Sequence, residues 1–274
     1  MTIKRKIAVA SFDFVESASH AYRFLWVQRS AILRFSAMAL AIKILSLIAL
    51  VVFGLQEFSL RQGLYLLPSF FIEGWAIATS VIMALHEHEA RSETRKSILA
   101  PGKDTARNIK AAMIVYVLTK LMLSFVVGSV YGDQQAAPEA AASEPSMQSF
   151  FMALVIIAFM IWAFRFLWIY IPVVMGRSVR EYLARFRAYS DSFPMLGVWI
   201  LCFVPAMIAL KVLAEMFGGV MNILGFGSET IVFESGLAMI QALADYLLSL
   251  LSSLAVAYGM YSVFNNENKK TEIW

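Results

Sequence analysis

Long runs of apolar residues alternate along this chain with short polar segments. Six runs are long enough to cross a bilayer as helices, because its hydrocarbon core is roughly 30 Å thick and a helix rises about 1.5 Å per residue. Backbone groups inside lipid must bond to one another, so each span is predicted to be helical. We therefore predict an all-α membrane protein with one six-helix domain over 31–264. The predicted spans are about 31–54, 62–85, 111–131, 149–176, 195–217 and 236–264.

The polar segment before the first span, residues 1–30, has helical periodicity in its second half. Between 11 and 29, one side is predicted to carry Asp13, Glu16, Ser17, His20 and Arg23, and the other Phe14, Val15, Ala18, Tyr22 and Leu25. This pattern predicts an amphipathic helix lying on the membrane surface.

Two further basic segments, 86–110 and 177–194, precede the third and fifth spans in the same way. A surface helix followed by a hairpin of two spans would then occur three times, which is a hypothesis of internal repetition. Residues 265–274 are predicted to form a short tail.

Basic residues are distributed very unequally between the two sets of connecting segments. The termini and the second and fourth loops together hold seventeen Lys and Arg residues, whereas the alternate loops hold only Arg61. Basic residues accumulate on the cytoplasmic side of membrane proteins. The bias predicts a multi-pass protein with both termini and the second and fourth loops in the cytoplasm.

The overall composition supports this class and excludes several functions. The hydrophobic fraction is 60%, the charged fraction 15% and the mean hydropathy +0.70. The single Cys202 excludes an intramolecular disulfide and a cysteine-based zinc site. The net charge of +4 is not gathered on a basic face, so we predict no nucleic-acid partner. The segment HEHE (86–89) places only His86 and Glu89 on one helical face, and we predict no metal and no cofactor.

Six charged residues lie well inside the predicted spans, where charge is costly and often marks a functional site. Arg34 and Glu215 lie near span ends and can reach the interface. The depths of the six inner residues predict two ion pairs, Lys43 with Glu73 and Lys211 with Asp245. Lys120 and Arg165 then lack an acidic partner. They either bind backbone carbonyls in a structural role or form a cationic site for an anionic amphiphile, such as a lipid or a polyprenyl phosphate.

The tetrapeptide RFLW occurs twice, starting at Arg23 and at Arg165. Arg23 belongs to the predicted surface helix, where a charge at headgroup level costs little. Arg165 lies twelve residues before Arg177, the first clear anchor at the membrane exit, which corresponds to a depth of about 18 Å. The two copies are therefore predicted to have different roles.

The stretch 165–199 resembles a loose group of bacterial inner-membrane proteins related to the membrane domain that precedes some glycerophosphodiester phosphodiesterases. The matching residues are Arg165, Pro172 seven positions later, and Ser190 at the end of a basic amphipathic segment. The acidic residue that the group often carries after the proline is absent, and 175–177 reads Met-Gly-Arg instead. The resemblance implies a six-helix fold with surface helices in a bacterial inner (cytoplasmic) membrane, and it implies no activity.

Three classes of function fit these patterns. The sequence favours a protein without its own catalysis that acts as a scaffold or accessory subunit of an envelope or membrane complex. The alternative is a carrier or binder of an anionic amphiphile through Lys120 and Arg165. An intramembrane enzyme is least supported, because no nucleophile–base pair or metal triad is visible. The expected partners are the lipid bilayer, anionic lipid and other membrane-protein subunits.

Overall fold

The computed structural model describes residues 12–54, 59–91, 102–135, 147–227 and 230–271. Every regular element among them is helical. Six helical stretches are long and apolar enough to cross a membrane, and they coincide with the six predicted spans. The predicted fold class, an all-α membrane protein with six spans, is confirmed. The candidate spans are Arg29–Val52, Leu67–Ala90, Asp104–Phe125, Leu154–Val174, Tyr189–Ile223 and Ile231–Asn265.

The described residues contain ten α-helices and two short 3₁₀ turns. The 3₁₀ turns are Phe164–Trp168, between the sixth and seventh helices, and Tyr189–Asp191, between the eighth and ninth. The α-helices are α1 Phe14–Val27, α2 Arg29–Val52, α3 Ser59–Tyr65, α4 Leu67–Arg91, α5 Gly102–Gln135, α6 Met147–Ala163, α7 Tyr170–Val174, α8 Val179–Arg185, α9 Ser192–Ile223 and α10 Ile231–Thr271.

The last helix, α10, forms the centre of the bundle. Its spanning segment is 78% buried, against 56% for α4 and 11–22% for the other four spans. Helices α1, α2, α4, α7 and α9 all pack against it. Small residues along α10 permit this close packing, because they let helix backbones approach one another. The small-residue positions are Ser249, Ser252, Ser253, Ala255 and Gly259.

The first helix packs against the bundle instead of only lying on a surface. Asp13 caps it by accepting bonds from the Val15 and Glu16 amides at 2.9 and 3.0 Å. The buried face contains Ser17, Ala18, Ala21 and Phe24, so Ser17 lies inside although the pattern placed it on the polar side. Val15 and Tyr22, predicted to face the apolar side, are exposed at 57% and 40%. The predicted helix is present, and its position on a membrane surface stays a prediction.

The other two predicted surface segments have different outcomes. Residues 86–91 continue α4 and residues 102–110 begin α5, so the described part of 86–110 contains no separate surface helix. Residues 177–194 contain α8, the second 3₁₀ turn and the start of α9. The threefold repeat stays a prediction, and its second unit lacks the expected helix in the described residues. Residues 265–271 of the predicted tail extend α10; residues 1–11 and 272–274 lie outside the described residues.

The fourth span is interrupted at the second RFLW. Pro172 has no amide hydrogen to donate to the Trp168 carbonyl, and its ring would clash with that carbonyl in a regular α-helix. The chain responds with the 3₁₀ turn Phe164–Trp168 before α7 resumes. Helix α7 ends at Val174. Gly176 follows with a φ of 78°, which favours a residue without a side chain, and the Arg177 amide donates back to the Pro172 carbonyl at 2.9 Å.

Candidate functional site

Lys43 of α2 lies between two carboxylates inside the membrane spans. Its Nζ is 2.9 Å from Glu73 Oε2 of α4 and also donates to Asp245 Oδ2 of α10. The Lys43 and Glu73 side chains are only 4% and 0% exposed. The predicted contact between Lys43 and Glu73 is present, and Asp245 joins it from a third helix. Burial of this kind is tolerated only because each charge meets an opposite charge.

Lys120 of α5 completes a four-charge cluster. Its Nζ donates to Ser249 Oγ at 3.1 Å and lies 3.9 Å from Glu73 Oε1 and 3.7 Å from Asp245 Oδ1. Two lysines therefore face two carboxylates, and the cluster is electrically neutral in its ionised form. The expectation that Lys120 lacks an acidic partner is wrong, because α4, α5 and α10 converge at this depth.

A neutral hydrogen-bond network supports the cluster from α5 and α7. Tyr116 donates its hydroxyl to Glu73 Oε1 at 2.7 Å, and its ring meets Tyr170 edge-to-face at 5.1 Å. The Tyr170 hydroxyl lies 2.6 Å from Ser253 Oγ. Gly74 permits the close approach of α5, because a Cβ there would lie 2.9 Å from Tyr116 Cδ1. The buried carboxylate of Glu73 is thus oriented as well as neutralised.

The two halves of the cluster differ in exposure. Lys43 and Glu73 are enclosed, whereas the Lys120 and Asp245 side chains are 18% and 46% exposed. Both of these line a cavity of about 240 Å³ bounded by α5, α10, the 3₁₀ turn, α7 and α9. Its aromatic walls include Trp168, Tyr170 and Trp199. The cavity, which we call the head pocket, thus offers one cation and one anion inside a protein interior.

An apolar groove of about 450 Å³ lies beside the head pocket. It runs between α5 and α6 and along the 3₁₀ turn, with Met122, Phe159, Met160, Ala163 and Phe166 among its lining residues. The groove and the head pocket share Thr119, Leu123 and Leu167 in their walls. Met122 and Phe159 are 67% and 60% exposed, so the groove opens on the face of the bundle that a bilayer would cover.

Arg165 lines neither the head pocket nor the groove. Its Nη1 donates to the carbonyls of Phe186 and Arg187 at 2.5 and 2.9 Å, and its guanidinium lies 4.5 Å from the centre of the Trp162 ring. It is 5% exposed, and its Nε has no hydrogen-bond partner among the described residues. The structure therefore separates Arg165 from Lys120, with which it was predicted to share a ligand site. These contacts fit the structural role considered for Arg165 in the sequence analysis, in which its guanidinium binds backbone carbonyls.

Tyr182 of α8 completes the surroundings of Arg165. Its hydroxyl donates to the Arg165 carbonyl at 2.8 Å. Burial raises the pKa of Tyr182 above its usual range, although the Arg165 charge acts in the opposite direction. The phenol therefore stays a neutral donor and attaches α8 to the interrupted fourth span.

The expected pair of Lys211 with Asp245 does not form. Asp245 bonds to Lys43, whereas Lys211 lies 3.9 Å from Glu215 on the same helix, with both side chains exposed at 79% and 68%. Depth alone had suggested the pair, but helical phase decides which charges meet. Asp245 and Ser249 share one side of α10 in the sequence, but no local pattern shows that Lys43 and Lys120 meet them there.

The fold and this site define an all-α, multi-pass membrane protein with a charge-neutral polar cluster that opens into a pocket between its spans. No protein-family model, no curated protein and no solved structure matches the chain. The resemblance of 165–199 to the bacterial membrane-domain group stays a prediction.

Proposed function

We propose that this protein binds a membrane amphiphile between its spans, with the polar head in the head pocket and an acyl or prenyl chain in the apolar groove. The observation that carries the proposal is the adjacency of the two spaces through Thr119, Leu123 and Leu167. Binding sites of this kind combine a mostly apolar wall with a few polar groups that fix orientation. A carrier or a lipid-dependent regulator would both use such a site.

The structure changes the basis on which a ligand was first expected. The sequence suggested two unpaired cations, but Lys120 has acidic neighbours and Arg165 lies elsewhere. The proposal that a ligand binds here is supported by the partial exposure of Asp245 and Lys120 in the head pocket. The scaffold or accessory subunit, favoured by the sequence, is the competing proposal and predicts an empty groove.

The first test fills the groove. Ala163→Trp would place an indole in the groove wall, and we expect the variant to lose a lipid that the wild type retains in native mass spectrometry after washing with mild detergent. The matched control is Ala158→Trp, an exposed position on the same helix that does not line the groove. We expect the control to keep the lipid, because it adds the same side chain to the outer surface.

The outcomes separate the two proposals. A stoichiometric lipid on the wild type and on Ala158→Trp, absent from Ala163→Trp, is the expected result. A wild-type chain that retains no lipid would contradict amphiphile binding and favour the scaffold. Equal retention by both variants would show that the lipid binds outside the groove.

We further propose that the protein lies in a bacterial inner membrane, on the basis of the resemblance of 165–199. We propose that both termini lie in the cytoplasm, on the basis of the seventeen-to-one distribution of basic residues. Single cysteines at Ser190 and Gly227, at opposite ends of α9, would test it in a Cys202→Ala background. A membrane-impermeant maleimide applied to spheroplasts should label the cysteine at 227 and not the one at 190. The reverse pattern would contradict the orientation, and equal labelling would contradict the span.

A further inference from the structure

The charge balance of the head pocket restricts the head group that it can accept. The four-charge cluster carries no net charge, and each of its members lies within 4.0 Å of a member of opposite charge. The members are Lys43, Lys120, Glu73 and Asp245. A guest with a net charge would leave one uncompensated charge in a water-poor interior, where unpaired ions are costly. A neutral guest leaves the balance unchanged.

The head pocket nevertheless contains two opposite charges, and a head group without charges would form no ion pair with either of them. Lys120 and Asp245 lie 3.7 Å apart, a longer separation than the 2.9 Å contact that holds Lys43 to Glu73. They are also the two cluster members that line the pocket. A guest anion can therefore approach Lys120 while a guest cation approaches Asp245, and the Lys43–Glu73 pair stays in place beneath them.

Aromatic side chains form part of the pocket wall. Trp168 lines the pocket and is only 5% exposed, and its Nε1 is enclosed by protein, so a guest in the pocket does not reach that nitrogen. Tyr170 and Trp199 line the same pocket. Aromatic rings attract ammonium groups, so a wall of this kind near Asp245 suits a cationic group.

From these observations we infer that the head group is zwitterionic: an alkylammonium that binds Asp245, joined to a phosphate that binds Lys120. A phospholipid with an aminoalkyl phosphate head has this chemistry and supplies the chain for the groove. The inference rests on the proposed function, since it names the ligand class of the same site.

The experiment is a competition on the delipidated full chain in detergent, read by native mass spectrometry. The probes are dioleoyl phosphatidylethanolamine, dioleoyl phosphatidylglycerol and dioleoylglycerol, which share their chains and differ in head charge. We expect the wild type to retain the ethanolamine lipid over each of the others by about tenfold, the ratio that about 1.4 kcal/mol produces. Soluble phosphoethanolamine at the same concentration should not displace it, because it lacks the chain.

Charge variants should shift the preference in opposite directions. Asp245→Asn leaves the cluster with one excess positive charge, so we expect it to prefer the glycerol phospholipid. Lys120→Gln leaves one excess negative charge and should lose both phospholipids. Lys211→Gln, which removes an exposed lysine outside the cluster, should keep the wild-type preference.

The result distinguishes the inference from the function on which it rests. Equal retention of the ethanolamine and glycerol phospholipids by the wild type, or retention of dioleoylglycerol alone, would overturn the zwitterionic head and leave amphiphile binding intact. Retention of no probe would overturn both. Displacement by soluble phosphoethanolamine would assign the pocket to a free zwitterion and overturn the lipid. The wild-type competition decides these points even if a charge variant fails to fold.

Discussion

Glu73→Gln is expected to cause the largest loss of stability among single substitutions of the charged residues in the spans. Glu73 is fully buried and neutralises Lys43, with Lys120 at 3.9 Å and the Tyr116 hydroxyl as further neighbours. Without the Glu73 charge, Asp245 is the only carboxylate of the cluster that neutralises its two lysines. Breaking a buried pair by deleting one partner typically costs about 3–5 kcal/mol, so the unfolding temperature in detergent should fall sharply.

A double variant tests whether charge balance is the cause. Lys43→Met combined with Glu73→Gln removes one charge of each sign, keeps an acceptor for Tyr116, and leaves Lys120 with Asp245. We expect it to recover most of the stability lost in the single variant. Glu215→Gln, at the exposed partner of Lys211, is the matched control and should change little. A double variant less stable than Glu73→Gln would contradict this account.

Arg165→Ala is expected to cause the second largest loss of stability. The change deletes two hydrogen bonds to the Phe186 and Arg187 carbonyls and the contact with the Trp162 ring. Hydrogen bonds to a charged group contribute about 1.5–3 kcal/mol each, and the low end of that range gives a loss of roughly 3 kcal/mol for the two bonds, measured as a lower unfolding temperature. Arg165→Lys keeps the charge without the planar fork and should recover only part of it.

The other copy of RFLW supplies the control for Arg165. Arg23 has the same three following residues but is exposed on α1, so Arg23→Ala should leave the unfolding temperature almost unchanged. An Arg165→Ala protein that is as stable as the wild type but has lost its lipid would contradict the structural role. That outcome would restore Arg165 as a ligand residue.

The charged residues of the site were visible in the sequence, but only one of their contacts was predicted correctly. The depth of Lys43 and Glu73 along their spans predicted their contact, because hairpin partners run antiparallel and residues at one depth face each other. The same rule failed for Asp245, which contacts Lys43 and lies near Lys120 instead of Lys211. Depth is read from position along one helix, whereas contact also depends on the direction in which each side chain points and on which helices are neighbours.

The sequence by itself determined the class of protein, the six spans and the presence of costly charges inside them. These follow from local requirements: a hydrocarbon core needs about twenty apolar residues, and lipid requires every backbone bond to close within its own helix. Only the tertiary structure decided that four charges from four helices form one neutral cluster, that α10 is central, and that Arg165 binds carbonyls apart from the pocket. Those outcomes depend on packing between helices distant in the chain, which no local pattern records.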